Sequence, residues 1–138
     1  MAGDAKIKVL VVDDERVIAD TLVQILNQHG FEASAVYSGT AAVDQASVLA
    51  PDILFTDVVM EGGINGIDAA IAISESCPDC RVLLFSGNPA TEDLIAAARA
   101  QGHNFNILAK PSHPGEIIEH LSRLAGGTGA QANLSSLD

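Results

Sequence analysis

The chain has 138 residues, enough for one domain with its own core and short for two. Apolar residues make up 48% and charged residues 18%, a globular balance rather than a disordered one. Seven Lys plus Arg against eighteen Asp plus Glu leave a formal net charge of −11, with no basic cluster to hold DNA or an anionic membrane, and no apolar run nears the ~18 residues that span a bilayer.

A cytoplasmic protein without direct nucleic-acid or membrane contact is therefore expected, since the start of the chain also lacks the apolar region of a secretory signal. Residues 7–12 read as a first strand, ending on Asp13-Asp14. A helix follows over 16–29, where Val17, Ile18, Leu22, Ile25 and Leu26 recur at helical spacing and Gly30 closes it. Residues 31–36 form a second strand. Ser38 is placed to cap a helix running to about residue 49, which Pro51 forbids from continuing. The third strand, 53–56, ends on Asp57, and the glycine-rich loop Glu61-Gly62-Gly63-Ile64-Asn65-Gly66 comes after it. A third helix covers 67–76 and a fourth strand 81–85, stopping at Ser86. Thr91-Glu92-Asp93 marks the start of an alanine-rich helix whose residues 94–98 read as a packing face. Residues 106–109 are a fifth strand ending on Lys110-Pro111, and Pro114 opens a last helix to about residue 124. One domain is expected over 1–125, with a flexible Gly/Ala/Ser-rich tail at 126–138.

Strands alternating with helices of this length predict an α/β fold with a doubly wound parallel sheet, the apolar runs buried on both faces. Spacing alone does not set strand order. The flavodoxin-like order 2-1-3-4-5 would place strands one and three at the switch point, and ligands of such sheets bind outside the carboxyl ends of the strands. In that order Asp13, Asp14 and Asp57 meet, with Ser86 and Lys110 on the same edge. Crowded carboxylates call for a proton or a cation, and Mg²⁺ takes one or two carboxylates while keeping room for a phosphate oxygen. A metal, an ammonium and a hydroxyl aimed at one spot suit phosphoryl transfer, and a carboxylate can itself be the nucleophile. Asp57, alone at a strand end with glycines close behind, is the candidate.

Plainer readings exist for each residue. Asp13-Asp14 could cap the following helix, Asp57 could be a loop acid, and Ser86 could begin a turn. Cys77-Pro78-Asp79-Cys80 lies between a helix and a strand and reads as ordinary turn cysteines, because a thioredoxin-like pair needs a helix N-terminus and structural zinc needs more ligands. None of His29, His103, His113 and His120 is assigned to catalysis.

With Val11-Val12-Asp13-Asp14-Glu15, Asp57 followed by Met60 and Gly66, Ser86-Gly87, and Lys110-Pro111 in order at four strand ends, the chain resembles the receiver domain of two-component response regulators over about residues 6–125. The resemblance implies that Asp57 accepts phosphate from a histidine kinase or phosphotransfer protein. It implies Mg²⁺ held by Asp14, Asp57 and the Val59 backbone carbonyl, with Asp13 acting through water. Lys110 would contact the phosphoryl oxygens, the Lys110-Pro111 peptide would be cis, and Ser86 would bond the phosphoryl group and shift on activation. Val59 and Asn88 would border the path of the hydrolytic water. A downstream effector would read the switched surface, for which Arg99, Gln101, His103 and Ile107 are candidates, with a homodimer left open. Three departures stand out: Glu61 occupies the usual Pro position, the loop before Gly66 is one residue longer, and Ile107 replaces the usual aromatic, with Phe105 two positions away. Two rival readings are a phosphorylation-independent pseudo-receiver and a Mg²⁺-dependent phosphatase. The haloacid-dehalogenase type of the latter needs an Asp-x-Asp spacing that Asp13-Asp14 lacks.

Overall fold

Five short strands rich in Val, Ile, Leu and Phe pair side by side, and the helices between them cover both faces. The computed structural model describes residues 6–60, 63–87, 91–103, 105–109 and 113–125. The strands are β1 (Lys8–Val12), β2 (Glu32–Val36), β3 (Ile53–Asp57), β4 (Arg81–Ser86) and β5 (Asn106–Ala109). The helices are α1 (Arg16–Gln28), α2 (Gly39–Leu49), α3 (Gly66–Ser76), α4 (Thr91–Ala100) and α5 (Pro114–Ala125). All strand pairs are parallel and the order is β2-β1-β3-β4-β5, as expected. The tail expected at 126–138 lies outside the described residues.

Alternation along each strand splits the core into two layers. Leu10, Val12, Leu54, Val82 and Leu84 pack with Ala42, Ala46, Ile67, Ala70 and Ile73 of α2 and α3. Val9, Val11, Ile53, Phe55, Leu83 and Phe85 pack with Leu22 and Leu26 of α1 and Ile117 and Leu121 of α5. The small residues of α2 and α3 let those helices lie close to the sheet. Local chemistry sets several boundaries. Ser38 accepts from the Ala41 N–H at 3.1 Å as the cap of α2, and His113 N–H donates to the Glu116 side chain at 3.1 Å ahead of α5. His29 lies at the C-terminal cap of α1 with Nδ1 2.9 Å from the Ile25 carbonyl, which accounts for it structurally.

Two expectations fail at the far edge. The run ending β5 is not buried on both faces: only Leu108 is buried, because β5 is an edge strand. The alanine-rich α4 is not a broad packing face either, since Ala98 is buried and Ile95 half-buried while Leu94, Ala96 and Ala97 are exposed.

On the opposite edge, the Ser34 hydroxyl of β2 is buried without a hydrogen-bond partner among the described residues. A buried unsatisfied hydroxyl costs about 1–3 kcal/mol relative to a satisfied one. Ser34→Ala should therefore leave stability unchanged or raise it by about 1 kcal/mol, read as the urea midpoint; a lowered midpoint would contradict this account.

Candidate functional site

Parallel pairing of β1 with β3 brings Val12 opposite Thr56, so the next residue of each strand, Asp13 and Asp57, leaves the sheet side by side. Carboxylate oxygens of Asp13, Asp14 and Asp57 all lie within 4.8 Å of one another. Asp13 is buried, and Asp14 and Asp57 are half-buried. Three hard oxygen donors at this spacing fit Mg²⁺ better than a soft transition metal. The exposed Val59 and buried Met60 follow Asp57 directly.

Backbone bonds fix these acids. The Asp13 N–H donates to the Val36 carbonyl at 3.3 Å, and Asp13 Oδ1 accepts from the Glu15 N–H at 2.9 Å. The capping alternative is thus partly realised: Asp13 steers the chain into α1, but Glu15 holds the cap position and neither aspartate does. On β3, the buried Thr56 hydroxyl donates to the Asp57 carbonyl at 2.9 Å. Asn65 caps α3 by accepting from the Asp68 N–H at 2.8 Å, and the Gly66 N–H donates to the Val58 carbonyl at 2.8 Å. The N-terminus of α3 therefore rests directly on the backbone that carries Asp57. A Cβ at Gly66 would land on the Asp57 carbonyl oxygen and within 3.0 Å of the Val58 Cα.

Ser86 ends β4 one residue past Phe85, the register partner of Asp57, and itself pairs with Ala109. Lys110, Pro111, Asn88 and Glu61 lie outside the described residues. Ile107 pairs with Leu84 and is 39% exposed. Phe105 turns to the same layer as Leu84 and lies against the His103 ring, centroids 5.8 Å apart. The exposed Arg99 and Gln101 and the half-buried His103 lie at the end of α4 and just after it.

One cluster beside the acids was not picked out in sequence. The Tyr37 hydroxyl donates to Asp20 Oδ1 at 2.6 Å, and the Arg16 guanidinium sits 4.0 Å from the Tyr37 ring centroid. It joins the first turns of α1 to the end of β2. The signal lay in strand order: once β2 flanks β1, the residue after Val36 must face the start of α1.

A family model for the response regulator receiver domain matches residues 9–122. Among curated relatives, the probable transcriptional regulatory protein TcrX of Mycobacterium tuberculosis is 31% identical over 128 residues, covering 93% of this chain and 53% of that protein. The nitrate/nitrite response regulator protein homolog of Haemophilus influenzae is 28% identical over 124 residues, covering 88% and 58%. The chain spans about half the length of the curated relatives it matches. A response regulator receiver protein from Sinorhizobium medicae has a TM-score of 0.74 at 26% identity, covering 86% of this chain and 94% of that one. A receiver domain protein from Clostridium thermocellum shares the fold, with a TM-score of 0.78 at 23% identity and coverage of 88% and 96%. The chain belongs to the response-regulator receiver family, a signalling module and not a turnover enzyme. Among the described residues no helix is long and apolar enough to cross a membrane.

Two predictions follow from this geometry. Gly66→Ala must push α3 off the Asp57 backbone and should cost about 1–3 kcal/mol in urea unfolding, as overpacking does; an unchanged midpoint would show that α3 can back away freely. The Asp20 hydrogen bond, with a little burial and the Asp20 charge, raises the Tyr37 hydroxyl above its usual value near 10, against the opposing pull of Arg16. Tyr37 is the one tyrosine and there is no tryptophan, so tyrosinate absorbance reads it alone. Its midpoint should fall in Asp20→Asn and rise further in Arg16→Gln; no movement in Asp20→Asn would refute the bond.

Proposed function

We propose that this chain is a phosphoryl-accepting switch of a histidine-to-aspartate relay, phosphorylated on Asp57. The observation that carries the reading is the meeting of Asp13, Asp14 and Asp57 within 4.8 Å at the carboxyl end of the sheet. A carboxylate oxygen of Asp57 attacks phosphorus of a phosphohistidine. The new O–P bond forms as the P–N bond breaks, and the imidazole leaves with the bonding pair. Asp14 and Asp57, with the Val59 carbonyl, would hold Mg²⁺ and Asp13 would reach it through water. Bound there, the ion would supply charge stabilisation to the transferring phosphoryl oxygens. Ser86 and Lys110 are assigned to those oxygens from the β4 and β5 sides. The acyl phosphate is hydrolysable, so the switch resets without a second enzyme, along a path that Val59 and Asn88 would border.

A groove of about 270 Å³ is lined by Val17, Ile18, Thr21, Ile25, Pro114 and Phe85, the register partner of Asp57, with Val17 78% exposed. An apolar face beside the acceptor suits a helical phosphodonor, a histidine kinase or phosphotransfer protein, laid along α1. On the other side of the sheet, Arg99, Gln101, His103 and Ile107 form the surface assigned to the effector. Acidic charge on the chain disfavours direct contact of this domain with nucleic acid.

Incubation with acetyl phosphate and Mg²⁺, read by intact mass, should add one phosphate to the wild type and none to Asp57→Asn, and chelation of Mg²⁺ should abolish the adduct. Failure of the wild type to label under conditions that label other receivers would leave a phosphorylation-independent interaction module.

A further inference from the structure

Cys77 and Cys80 take no part in the acidic site and lie at the opposite end of β4. Cys77 is the C-terminal cap of α3, its N–H bonded to the Ile73 carbonyl at 2.7 Å. The Cys80 N–H donates to the Cys77 carbonyl at 2.9 Å and closes a four-residue turn, with Pro78 in the position that proline favours. Such a turn holds its end Cα atoms within about 7 Å, and disulfides span Cα separations of about 4.4–6.8 Å. Both side chains enter one apolar layer: Cys80 is a buried member and Cys77 packs against it. The sulfurs have long contacts to give up: Cys77 Sγ donates to the Ala46 carbonyl at 3.8 Å and accepts from the Ser76 hydroxyl at 3.9 Å, and Cys80 Sγ donates to the Arg81 carbonyl at 3.6 Å. Pro78, Asp79, Cys80 and Arg81 border a cleft of about 660 Å³, which brings solvent to the turn.

The two thiols differ in reactivity. Burial, then the neighbouring Cys77 and Asp52, pushes the Cys80 thiol up to about 12. The half-exposed Cys77 is the accessible nucleophile. The Cys80 thiolate gains no stabilisation, which favours the disulfide thermodynamically, the reverse of strongly oxidising pairs.

We propose that Cys77 and Cys80 are a modification site, a pair that closes reversibly into a disulfide tying the end of α3 to the start of β4. With a small disulfide such as glutathione disulfide as oxidant, the Cys77 thiolate attacks one sulfur and expels one glutathione as thiolate, which takes up a proton. Cys80 then gives up its proton and attacks the Cys77 sulfur of the mixed disulfide, expelling the second glutathione. Two protein thiols and one glutathione disulfide become one protein disulfide and two glutathiones, a two-electron oxidation of the protein. The bridge braces, from their far ends, the two elements that meet the acidic edge through Gly66 and Ser86.

The test uses the full chain, reduced, desalted, exposed to glutathione disulfide, then denatured, alkylated with N-ethylmaleimide and weighed intact. The reduced control should take two maleimides. The oxidised wild type should take none, weigh two hydrogens less and revert fully with dithiothreitol. Cys80→Ser should stop at one glutathione on Cys77, whereas native Cys77→Ser should stay unmodified. Two maleimides on the oxidised wild type, a persistent glutathione adduct on it, or a disulfide-linked dimer would each overturn the proposal. None of these readouts involves phosphate, so the assignment of Asp57 stands or falls separately.

Discussion

The parallel pairing of β1 with β3 is the constraint on which the rest depends. Val9 to Val12 lie against Ile53 to Thr56, and these side chains alternate between two buried layers. A slip of one residue would exchange the layers and move every side chain to the wrong face, so the apolar core fixes the register firmly. That register, set deep in the sheet, places Asp13 beside Asp57 at its edge. Ionised carboxylates gathered at one edge repel each other, the more so the less water screens them. The apolar core beneath them and the backbone bonds of Asp13 help to keep the acids in place despite that repulsion. Positive charge brought to this edge is therefore stabilising as well as chemically useful.

Much of this was legible in the sequence, for identifiable reasons. Apolar runs of three or four residues, each stopped by a polar residue, give strands and their carboxyl ends at once, and Ser38 and Pro51 bound α2 by backbone chemistry alone. Strand order does not come from spacing; it is the flavodoxin-like order of doubly wound sheets, and it alone turns Asp13 and Asp57 into neighbours. What pattern could not supply is depth. Residues 107–109 look as apolar as residues 82–85, yet β5 is an edge strand and β4 is interior, a difference that exists only once the sheet is assembled. The Arg16–Tyr37–Asp20 cluster escaped notice for a related reason. Its members lie on two elements far apart in sequence, and none is unusual where it stands. Gly66 was visible as a motif position, but its physical purpose, the absence of a Cβ where α3 meets the Asp57 carbonyl, is purely a matter of packing.

The same α3 that needs Gly66 at one end carries Cys77 at the other, and β4 runs from Cys80's neighbour Arg81 to Ser86. The two ends of the domain are thus joined by one helix and one strand, both packed along their length by Ile67, Ala70, Ile73, Val82 and Leu84. Rigid elements of this kind transmit displacement because a close-packed interior cannot absorb it locally. A covalent tie at the turn would change the stiffness of the frame under the acceptor without touching it.

Stiffness also differs between the middle of the sheet and its β5 edge. Beneath Asp57, on the α1 and α5 side, Phe55 and Phe85 lie with ring centroids 5.2 Å apart and tilted by 37°, among Leu22, Leu26 and Leu121. Aromatic and long aliphatic groups interlock there, and movement would open voids. At the β5 edge less is buried: among the described residues of α4 Ala98 is the buried one, and Leu94 and Ile107 are both more than a third exposed. Regions with few buried apolar contacts are the ones that rearrange at low cost. Under the proposed function, extra charge at the acidic edge would meet firm resistance in the middle of the sheet and less at its β5 edge, which favours a response through α4 and β5. Ile107, in register with Leu84 at that edge, offers no aromatic ring to turn, so in the proposed switch it would respond by a change of exposure alone.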